Sequence, residues 1–280
     1  MNLNNSGSAA SGPSIGGYVF RIVLLIVGLF AIYYAYKALF TSDLKRVVVI
    51  QDVHVAKTDE MTTPYNFDKS VIPPLYEGGE YTISAWIYVN DFAYRRGYNK
   101  AIFALGDNAD ATGTVTLAVY LDGTENTLHV RTSFVSGTTG PSGNMKLSDY
   151  TALFATPNQI SNLSNIPDCM VSPIEFQRWT HVAVAMNGKT VDIYIDGKLA
   201  RSCILPSVYR VGSRYALTVA NQNGFGGYVS GVAAYDYAVN PEQMYRTYMA
   251  GPVGAIDFWT YLKSFFNPKA LGTMDYPKMN

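Results

Sequence analysis

Asp192 and Asp196 are the carboxylates whose spacing comes closest to that of an acid–base pair. Both fall on one face of a predicted strand, where a rise of about 3.3 Å per residue separates them by about 13 Å. A glycosidase needs its two carboxyl groups about 5–5.5 Å apart for retention, or about 6.5–9.5 Å apart for inversion. Asp196 also begins an Asp-Gly turn dipeptide. The pair therefore does not predict glycoside hydrolysis.

Nucleophilic and transition-metal chemistry have no better support. Residues 12–16 read Gly-Pro-Ser-Ile-Gly and match Gly-x-Ser-x-Gly, but no strand-to-helix elbow surrounds the serine. His54, His129 and His181 lie far apart, without cysteine or carboxylate neighbours at metal-ligand spacing. We expect His181, on a strand beside Trp179, to be a structural, hydrogen-bonded histidine. The sequence thus predicts a protein that is not an enzyme.

Oxygen ligands gather in the segment Leu-Gly-Asp-Asn-Ala-Asp, where Asp107, Asn108 and Asp110 occupy a loop between two predicted strands. Hard oxygen donors of this kind suit calcium. Asx side chains in such a loop also bond to their own backbone, which is ordinary turn chemistry. Calcium is therefore the one candidate cofactor, and a plain turn is the alternative.

Cys169 and Cys203 are the two cysteines, and they flank the central predicted hairpins. If their segments pair side by side, a disulfide is possible and would close a loop of about 33 residues. The alternative is two buried thiols in a reducing compartment. Asn162 begins an Asn-Leu-Ser sequon, which matters only if the domain faces a secretory lumen.

The amino-terminal part of the chain predicts a membrane anchor. Residues 1–17 carry no charged side chain and predict a flexible tail. Residues 18–40 are mostly apolar and would reach about 34 Å as a helix, enough to span a bilayer core. The predicted membrane-interface anchors are Arg21, Tyr33, Tyr34, Tyr36 and Lys37.

A cleaved secretory signal is the alternative to this anchor. The uncharged amino-terminal region and the lack of a small-x-small cleavage site count against it. Lys37, Lys45 and Arg46 follow the uncharged centre of the span, residues 22–36, whereas only Arg21 and the amino terminus precede it. The positive-inside rule then places the carboxy-terminal domain on the cytoplasmic face.

Most of the chain has the sequence pattern of β-strands. From about Val47 the apolar residues recur with period two in short segments separated by Gly, Asn and Asp turns, which predicts an all-β sandwich or barrel. The segments are EYTISAWIYV, TVTLAVYL, LHVRTSF, THVAVAM, VDIYIDG, YALTVA and YVSGVAAY. Asn187-Gly188 and Asp196-Gly197 predict two hairpins with type I′ turns.

Two helices are predicted beyond the strands. The first has Asn240 as N-cap, Pro241 at its first position, Gln243 closing a capping box and Gly251 as its end. The second spans 256–266, with a broad apolar face that packs on the sandwich or lies at a membrane interface. The polar segment 136–168 is predicted to be a long loop.

The composition limits the partners. The chain has 280 residues, 21 basic and 21 acidic side chains, 22 Tyr and 24 Gly. A net charge of zero and a pI near 6.8 argue against a nucleic-acid-binding surface. Tyrosine and glycine suit sheets with close turns, and an exposed tyrosine offers an apolar ring with a polar tip.

Four segments in this order resemble the concanavalin A-like superfamily, with its laminin G-like and pentraxin-like branch nearest, over about residues 65–251. They read GGEYTISAWIYVND, AIFALGDN…VTLAVYLDG…LHVRT, FQRWTHVAVAMNGKTVDIYIDGKLARS and GFGGYVSGVAAYDYAVNPEQMYRTYMAG. The resemblance implies a jelly-roll sandwich of two antiparallel sheets. It implies no single activity, because this fold hosts lectins, adhesion modules, glycosidases and scaffolds. The Glu-x-Asp-x-x-Glu cluster of its glycosidases does not occur here, and Asp107 resembles the aspartate of calcium-binding laminin G-like modules.

These expectations combine into one domain plan and two functions. The predicted parts are a tail (1–17), a transmembrane helix (18–40), a linker and first strand (41–64), the sandwich (65–251), and an amphipathic helix with a tail (252–280). The first function is a non-catalytic, single-pass membrane protein making structural protein contacts near the bilayer. A resemblance to membrane-anchored proteins of large DNA virus particles implies a tether from virion membrane to capsid shell. The alternative is a glycan-binding lectin on a cell or virion surface, with or without calcium.

Overall fold

The computed structural model describes residues 15–40, 45–57, 65–107, 112–137, 142–157, 163–212 and 214–252. Of residues 15–18, 36–40 and 65 it describes the backbone only. The chain divides into two compact units, Met1–Leu44 and Lys45–Asn280. The described part of the first is one helix, α1 (Ile15–Phe40), and the second contains all the strands.

Sheet A has seven antiparallel strands. They are β1 (Arg46–Ile50), β2 (His54–Lys57), β4 (Glu80–Asp91), β9 (Trp179–Asn187), β10 (Thr190–Ile195), β11 (Lys198–Ile204) and β13 (Gly224–Tyr235). The order across the sheet is β1-β13-β4-β9-β10-β11, and β2 pairs with β13 beyond the end of β1. The long strands β4 and β13 therefore form its centre with β9.

Sheet B has six antiparallel strands in the order β3-β12-β5-β6-β7-β8. They are β3 (Tyr65–Asp68), β5 (Lys100–Gly106), β6 (Val115–Leu121), β7 (Leu128–Thr132), β8 (Asp168–Val171) and β12 (Ala216–Val219). With sheet A it forms a two-layer, all-β sandwich, the fold class that the period-two pattern predicted.

The main core lies between the two sheets. On β4 it takes the alternating set predicted from the sequence, Tyr81, Ile83, Ala85, Ile87 and Val89. Facing residues from sheet B include Phe103, Leu105, Leu117, Val119 and Leu121. Burying each such side chain stabilises the fold by roughly 1.5–3 kcal/mol.

One member of the predicted β6 set lies on the other face. Val115 belongs to a cluster on the outer side of sheet B rather than to the main core. The register of β5 with β6 shifts between Leu105 and Gly106, so that Thr116 is an extra residue on β6. Because an inserted residue turns the strand by one position, the predicted grouping of Val115 with Leu117 is wrong.

The two predicted hairpins are both present, and one turn differs from the prediction. Ile195 pairs with Lys198, so Asp196 and Gly197 form the turn, and both have positive φ as a type I′ turn requires. Asn187 instead pairs with Thr190, which places Gly188 and Lys189 in the turn. Only Gly188 has a positive φ there, which excludes the type I′ turn predicted for Asn187-Gly188.

Helix α3 (Pro241–Met249) begins where its cap signals predicted. The Asn240 side chain accepts a hydrogen bond from the Gln243 backbone N–H at 2.8 Å. The Gln243 side chain does not complete the predicted capping box, because its amide donates to the Tyr237 hydroxyl. Through Met244, the helix packs on the outer face of sheet A.

The predicted loop 136–168 contains a helix, so that prediction is wrong in part. Helix α2 (Leu147–Ala155) buries Tyr150, Leu153 and Phe154 against the outer face of sheet B. Its start has no side-chain cap, and its short apolar pattern is interrupted by polar residues. Tertiary packing therefore supplies the stability that local signals lack.

Helix α1 coincides with the segment predicted to cross a membrane. Its described apolar side chains, from Val19 to Tyr34, are exposed all along the helix. Among residues with described side chains, no helix combines the length and apolar character that crossing a membrane requires. The predicted helix at 256–266 lies outside the described residues.

The two cysteines form a disulfide between the sheets. Cys169 on β8 and Cys203 on β11 have Cα atoms 6.1 Å apart. Strands β8 and β11 are the edges of sheets B and A. The bond therefore closes one open side of the sandwich.

Candidate functional site

Three aromatic side chains form a row across the outer face of sheet A. Tyr88 pairs directly with Tyr228 on β13 and with Trp179 on β9. The ring centroids of Tyr88 and Trp179 lie 5.6 Å apart, and those of Tyr88 and Tyr228 lie 6.3 Å apart. All three side chains are partly exposed. We call these three residues the aromatic row.

Alternation along the strands directs these rings outwards. The neighbours Ile87 and Val89 of Tyr88 point into the core, so Tyr88 must face away from it. Gly227, next to Tyr228, allows the two strands to approach closely. A Cβ atom on Gly227 would lie 1.9 Å from the Tyr88 carbonyl oxygen, so no other residue fits there.

Polar groups border the aromatic row. Next to Trp179, the Arg178 guanidinium contacts the carboxylates of Asp196 and Glu175. Near the carboxyl end of β4, the Lys57 amine lies 4.0 Å from the Asp91 carboxylate. These groups offer charged donors and acceptors beside three apolar ring faces.

A second set of rings lies one step along the same face. Trp86, two residues before Tyr88, pairs with Ser230 on β13 and with His181 on β9. Its ring stacks on Tyr248 of α3, with centroids 5.5 Å apart and an interplanar angle of 18°. Helix α3 therefore covers this part of the sheet and leaves the aromatic row partly open.

His181 is fully buried under this cover. Both of its ring nitrogens are buried and have no hydrogen-bond partner among the described residues. Burial lowers the pKa of His181 to about 4, so the ring is neutral near pH 7. The prediction of a structural histidine holds for its burial and fails for its hydrogen bonding.

A cleft of about 440 Å³ opens between sheet A and α3. The lining residues are Arg46, Val48, Gln51, Trp86, Gly231, Tyr235, Gln243, Arg246, Thr247, Ala250 and Gly251. Its size falls within the range of about 300–1,000 Å³ that small-molecule sites occupy. Two guanidinium groups, two side-chain amides and two hydroxyl groups lie among the lining side chains, together with the indole ring of Trp86. We call this feature the cleft.

Gly231 shapes the floor of the cleft. Its φ of +55° is a left-handed conformation, and a Cβ there would lie 2.9 Å from Trp86 Cδ1 and 3.0 Å from the Pro252 oxygen. The preceding Ser230 hydroxyl lies 3.1 Å from the Gln51 backbone oxygen and 2.6 Å from that of Pro252, and its single hydrogen donates to one of them at a time. These contacts hold the end of α3 and the turn after β1 against β13.

The outer face of sheet B is closed by a polar network beside α2. Arg131 donates to the Asp168 carboxylate at 2.8 Å and to the Tyr120 hydroxyl at 2.8 Å. His129 lies 2.9 Å from Asp168 Oδ2 and 3.8 Å from Asp122 Oδ2. Burial raises the pKa of Tyr120 to about 12. The sequence had indicated no carboxylate near His129, because Asp168 reaches it only through the pairing of β7 with β8.

Only one of the predicted calcium ligands lies among the described residues. Asp107 is buried, and its carboxylate lies 3.4 Å from the Arg214 guanidinium. Asn108 and Asp110 lie outside the described residues, as does the sequon residue Asn162. Within the described ranges, no group of three His, Cys, Asp or Glu side chains is placed to hold a metal ion.

The remaining predicted residues are dispersed. Asp196 Oδ1 accepts a hydrogen bond from the His181 backbone N–H, so this carboxylate belongs to its turn. His54 begins β2 opposite Val229. Of the predicted membrane anchors, Arg21, Tyr33 and Tyr34 lie on the exposed helix α1. The side chains of Tyr36 and Lys37 are outside the described set.

Sequence reasoning missed both the aromatic row and the cleft. The alternation of EYTISAWIYV did place Trp86 and Tyr88 together on one face, which was the available signal. Nothing local indicated that Trp179 and Tyr228 would join Tyr88, since about 90 and 140 residues separate them in the chain.

Two antiparallel sheets packed face to face define an all-β sandwich of the jelly-roll class. The chain belongs to the concanavalin A-like lectin/glucanases superfamily, whose laminin G-type family model matches residues 66–244. This match confirms the resemblance drawn from the motifs. No curated protein matches the sequence.

Solved structures with a similar fold include the native heptameric SAP-like pentraxin from Limulus polyphemus. Its identity is 13%, the match covers 74% of this chain and 86% of that chain, and the TM-score is 0.45. The binding domain of botulinum neurotoxin DC in complex with SialylT has 11% identity, coverage of 74% and 46%, and a TM-score of 0.42. The botulinum neurotoxin serotype G binding domain has 13% identity, coverage of 77% and 49%, and a TM-score of 0.41. The chain spans about half the length of these two toxin structures.

Proposed function

We propose that the sandwich is a non-catalytic carbohydrate-binding module that uses the aromatic row. The observation that carries this proposal is the placement of Tyr88, Tyr228 and Trp179 at directly paired positions on three strands. A sugar ring has an apolar C–H face, which packs on the electron-rich face of an aromatic ring. Its hydroxyl groups then meet the polar groups that border the row.

The geometry suits recognition better than catalysis. Two of the carboxylates that border the row, those of Asp196 and Glu175, contact the Arg178 guanidinium. The Asp196 carboxylate also accepts a backbone hydrogen bond from His181, so both of its oxygens are engaged within the protein. A general acid or base needs a carboxyl group that is free to reach the substrate.

A glycan array probed with the full chain tests this proposal, followed by calorimetric titration of the best-bound oligosaccharide. We expect Trp179→Ala and Tyr88→Ala each to weaken binding at least tenfold, which is about 1.4 kcal/mol. Tyr76→Ala is the matched control, because this tyrosine is 71% exposed and lies outside the row. Equal affinity of all four proteins for the glycan would reject the aromatic row as the site.

The compartment belongs to the same proposal. The Cys169–Cys203 disulfide supports a domain exposed to an oxidising environment, where such bonds persist. That environment is opposite to the cytoplasmic face that the positive-inside rule predicted. Protease protection in sealed vesicles, with the glycan on Asn162 scored on the same gel, distinguishes an oxidising lumen from the cytoplasmic face. A protected, glycosylated domain is the expected result, and a digested, unglycosylated domain would favour the cytoplasmic face.

A second candidate function is attachment to a membrane, with structural protein contacts made by the sandwich. The exposed apolar side chains of α1, such as Leu25 and Leu29, favour it, because apolar surface of this extent gains energy in lipid. In this form the partners are the bilayer and a protein layer such as a capsid shell. Flotation of the full chain with phosphatidylcholine vesicles tests it. Leu25→Lys with Leu29→Lys should abolish flotation, and unchanged flotation would reject α1 as the anchor.

A further inference from the structure

We propose that the cleft between sheet A and α3 binds a sugar residue that carries a carboxylate, so that the ligand of this module is an acidic glycan. The inference rests on the proposed function for the sugar, but it concerns a different set of side chains. The aromatic row would hold the neutral sugars of the glycan, and the cleft would hold the sugar that carries the carboxylate.

The charge of the cleft favours an anion. Its lining contains Arg46 and Arg246 and no Asp or Glu. Arg46 Nε donates to the Tyr235 hydroxyl at 3.1 Å, which uses one of five N–H groups and fixes the direction of the side chain. Arg246 pairs with Glu242 on the exposed side of α3, where water screens the interaction. A planar guanidinium matches the two oxygens of a carboxylate.

The other polar groups favour a sugar over a bare anion. Gln51, Gln243 and Thr247 line the cleft, and their side chains include acceptors as well as donors. The Gln243 amide nitrogen already donates to Tyr237, so its oxygen is the atom that a ligand would meet. Acceptors of this kind pair with hydroxyl groups, which inorganic phosphate offers poorly at neutral pH. Phosphate and lipid headgroups are therefore the less suitable occupants.

The apolar wall and the volume also fit a sugar residue. Trp86 lies at the floor, and Val48, which is 40% exposed, lies at the wall. They supply apolar surface for the C–H groups of one sugar ring in a space of about 440 Å³.

The cleft lies within reach of the aromatic row. Trp86 and Tyr88 share the outer face of β4 and stand two residues apart, a distance of about 7 Å along the strand. This is close to the length of one sugar residue. An oligosaccharide could therefore occupy the row and the cleft together.

The test uses the full chain and small probes that fit the cleft alone. Methyl glucuronide is titrated by ligand-observed NMR against methyl glucoside, which lacks only the carboxylate, and against inorganic phosphate. We expect the glucuronide to bind at least about tenfold more tightly than either other probe. Equal binding of the glucoside, or tighter binding of phosphate, would overturn the proposal.

Three arginine variants locate the site. Arg46→Gln and Arg246→Gln should each weaken glucuronide binding about fivefold or more, because each removes a charged, bidentate donor. Arg201→Gln is the matched control, an exposed arginine on β11 at the opposite edge of sheet A. Loss of binding in all three variants, or in none, would overturn the proposal. Thermal melting of each variant checks that the fold is intact.

A further variant distinguishes this inference from the proposed function. Trp179→Ala should leave binding of methyl glucuronide unchanged, since that probe fills only the cleft. Glucuronide binding at the cleft, with no effect of Trp179→Ala on any oligosaccharide, would reject the aromatic row and keep the acidic subsite. Oligosaccharide binding that depends on Trp179, with no preference for glucuronide over glucoside, would reject the acidic subsite alone.

Discussion

Cys169 on β8 is bonded to Cys203 on β11, and so one covalent link joins the edge strands of the two sheets. Elsewhere the sandwich is held by side-chain packing between its layers. The two cysteines are 34 positions apart in the chain. A link across that length restricts the unfolded chain by about 3–4 kcal/mol in the chain-entropy account.

Removing this link should destabilise the domain without changing its fold. We expect Cys169→Ser with Cys203→Ser to lower the free energy of unfolding by about 3–4 kcal/mol, measured by urea denaturation. Thiol titration of the denatured wild-type protein should find two reactive thiols only after reduction. A double variant as stable as the wild type would show that the bond adds nothing to the folded state.

Gly231 should be the least replaceable glycine of the cleft. Gly231→Ala forces a Cβ to 2.9 Å from Trp86 Cδ1 at a left-handed φ of +55°, at a cost of about 1–3 kcal/mol. Denaturant melting measures the loss. Gly137→Ala is the matched control, because its Cβ would meet no atom within 4 Å and its φ is not left-handed. Equal stability of the two variants would contradict the close contact at Trp86.

Stability should fall in acid because of His181. Its pKa in the folded protein is about 4, below the ordinary value of 6.5, so between these pH values the unfolded chain binds the proton more readily. The neutral, buried His181 therefore contributes to the free energy of unfolding in full above about pH 6.5, and this contribution is lost as the pH falls towards 4. It amounts to about 3 kcal/mol.

His181→Phe removes this titration while it keeps a ring in the same space. We expect the variant to lose much less stability than the wild type between pH 6.5 and 4.5, as measured by chemical denaturation at a series of pH values. The same decline in both proteins would assign the acid sensitivity to other groups.

Calcium should leave the melting temperature of the domain unchanged. The Asp107 carboxylate already faces the Arg214 guanidinium at 3.4 Å, which competes with a cation for its charge. A site filled at a hundred times its Kd would add about 2.7 kcal/mol, a shift of several degrees. Scanning calorimetry with calcium, with magnesium and with a chelator measures it. A rise seen with calcium alone would restore the loop beginning at Asp107 as a metal site.

Local patterns determined a large part of the fold. The period-two alternation of β4 selected Ile83, Ile87 and Val89 for the core, because neighbouring side chains of a strand must point to opposite faces. Asn240 and Pro241 set the start of α3, since a cap acts on backbone groups within the next three residues. The order of the motifs also sufficed to indicate the superfamily.

Other features depended on which strands became neighbours. The bulge at Thr116 turned the Val115 side chain to the outer face of sheet B. Helix α2 formed at a segment with weak local signals, because it packs on that same face. Asp168 lies beside His129 because β8 pairs with β7, and Cys169 lies beside Cys203 because the two sheets pack on each other. No local sequence signal specifies either arrangement.

The candidate site belongs wholly to this second group. Both partners of Tyr88 in the aromatic row lie far beyond it in sequence, on β9 and β13. The cleft likewise joins β1 to the helix that follows β13. The sequence by itself determined that Tyr88 and Trp86 face outwards, because strand periodicity is local. Tertiary structure alone decided that Tyr228 and Trp179 lie beside Tyr88 and that Arg46 and Arg246 line one cleft, because cross-strand pairing and sheet–helix packing bring together residues that are distant in the chain.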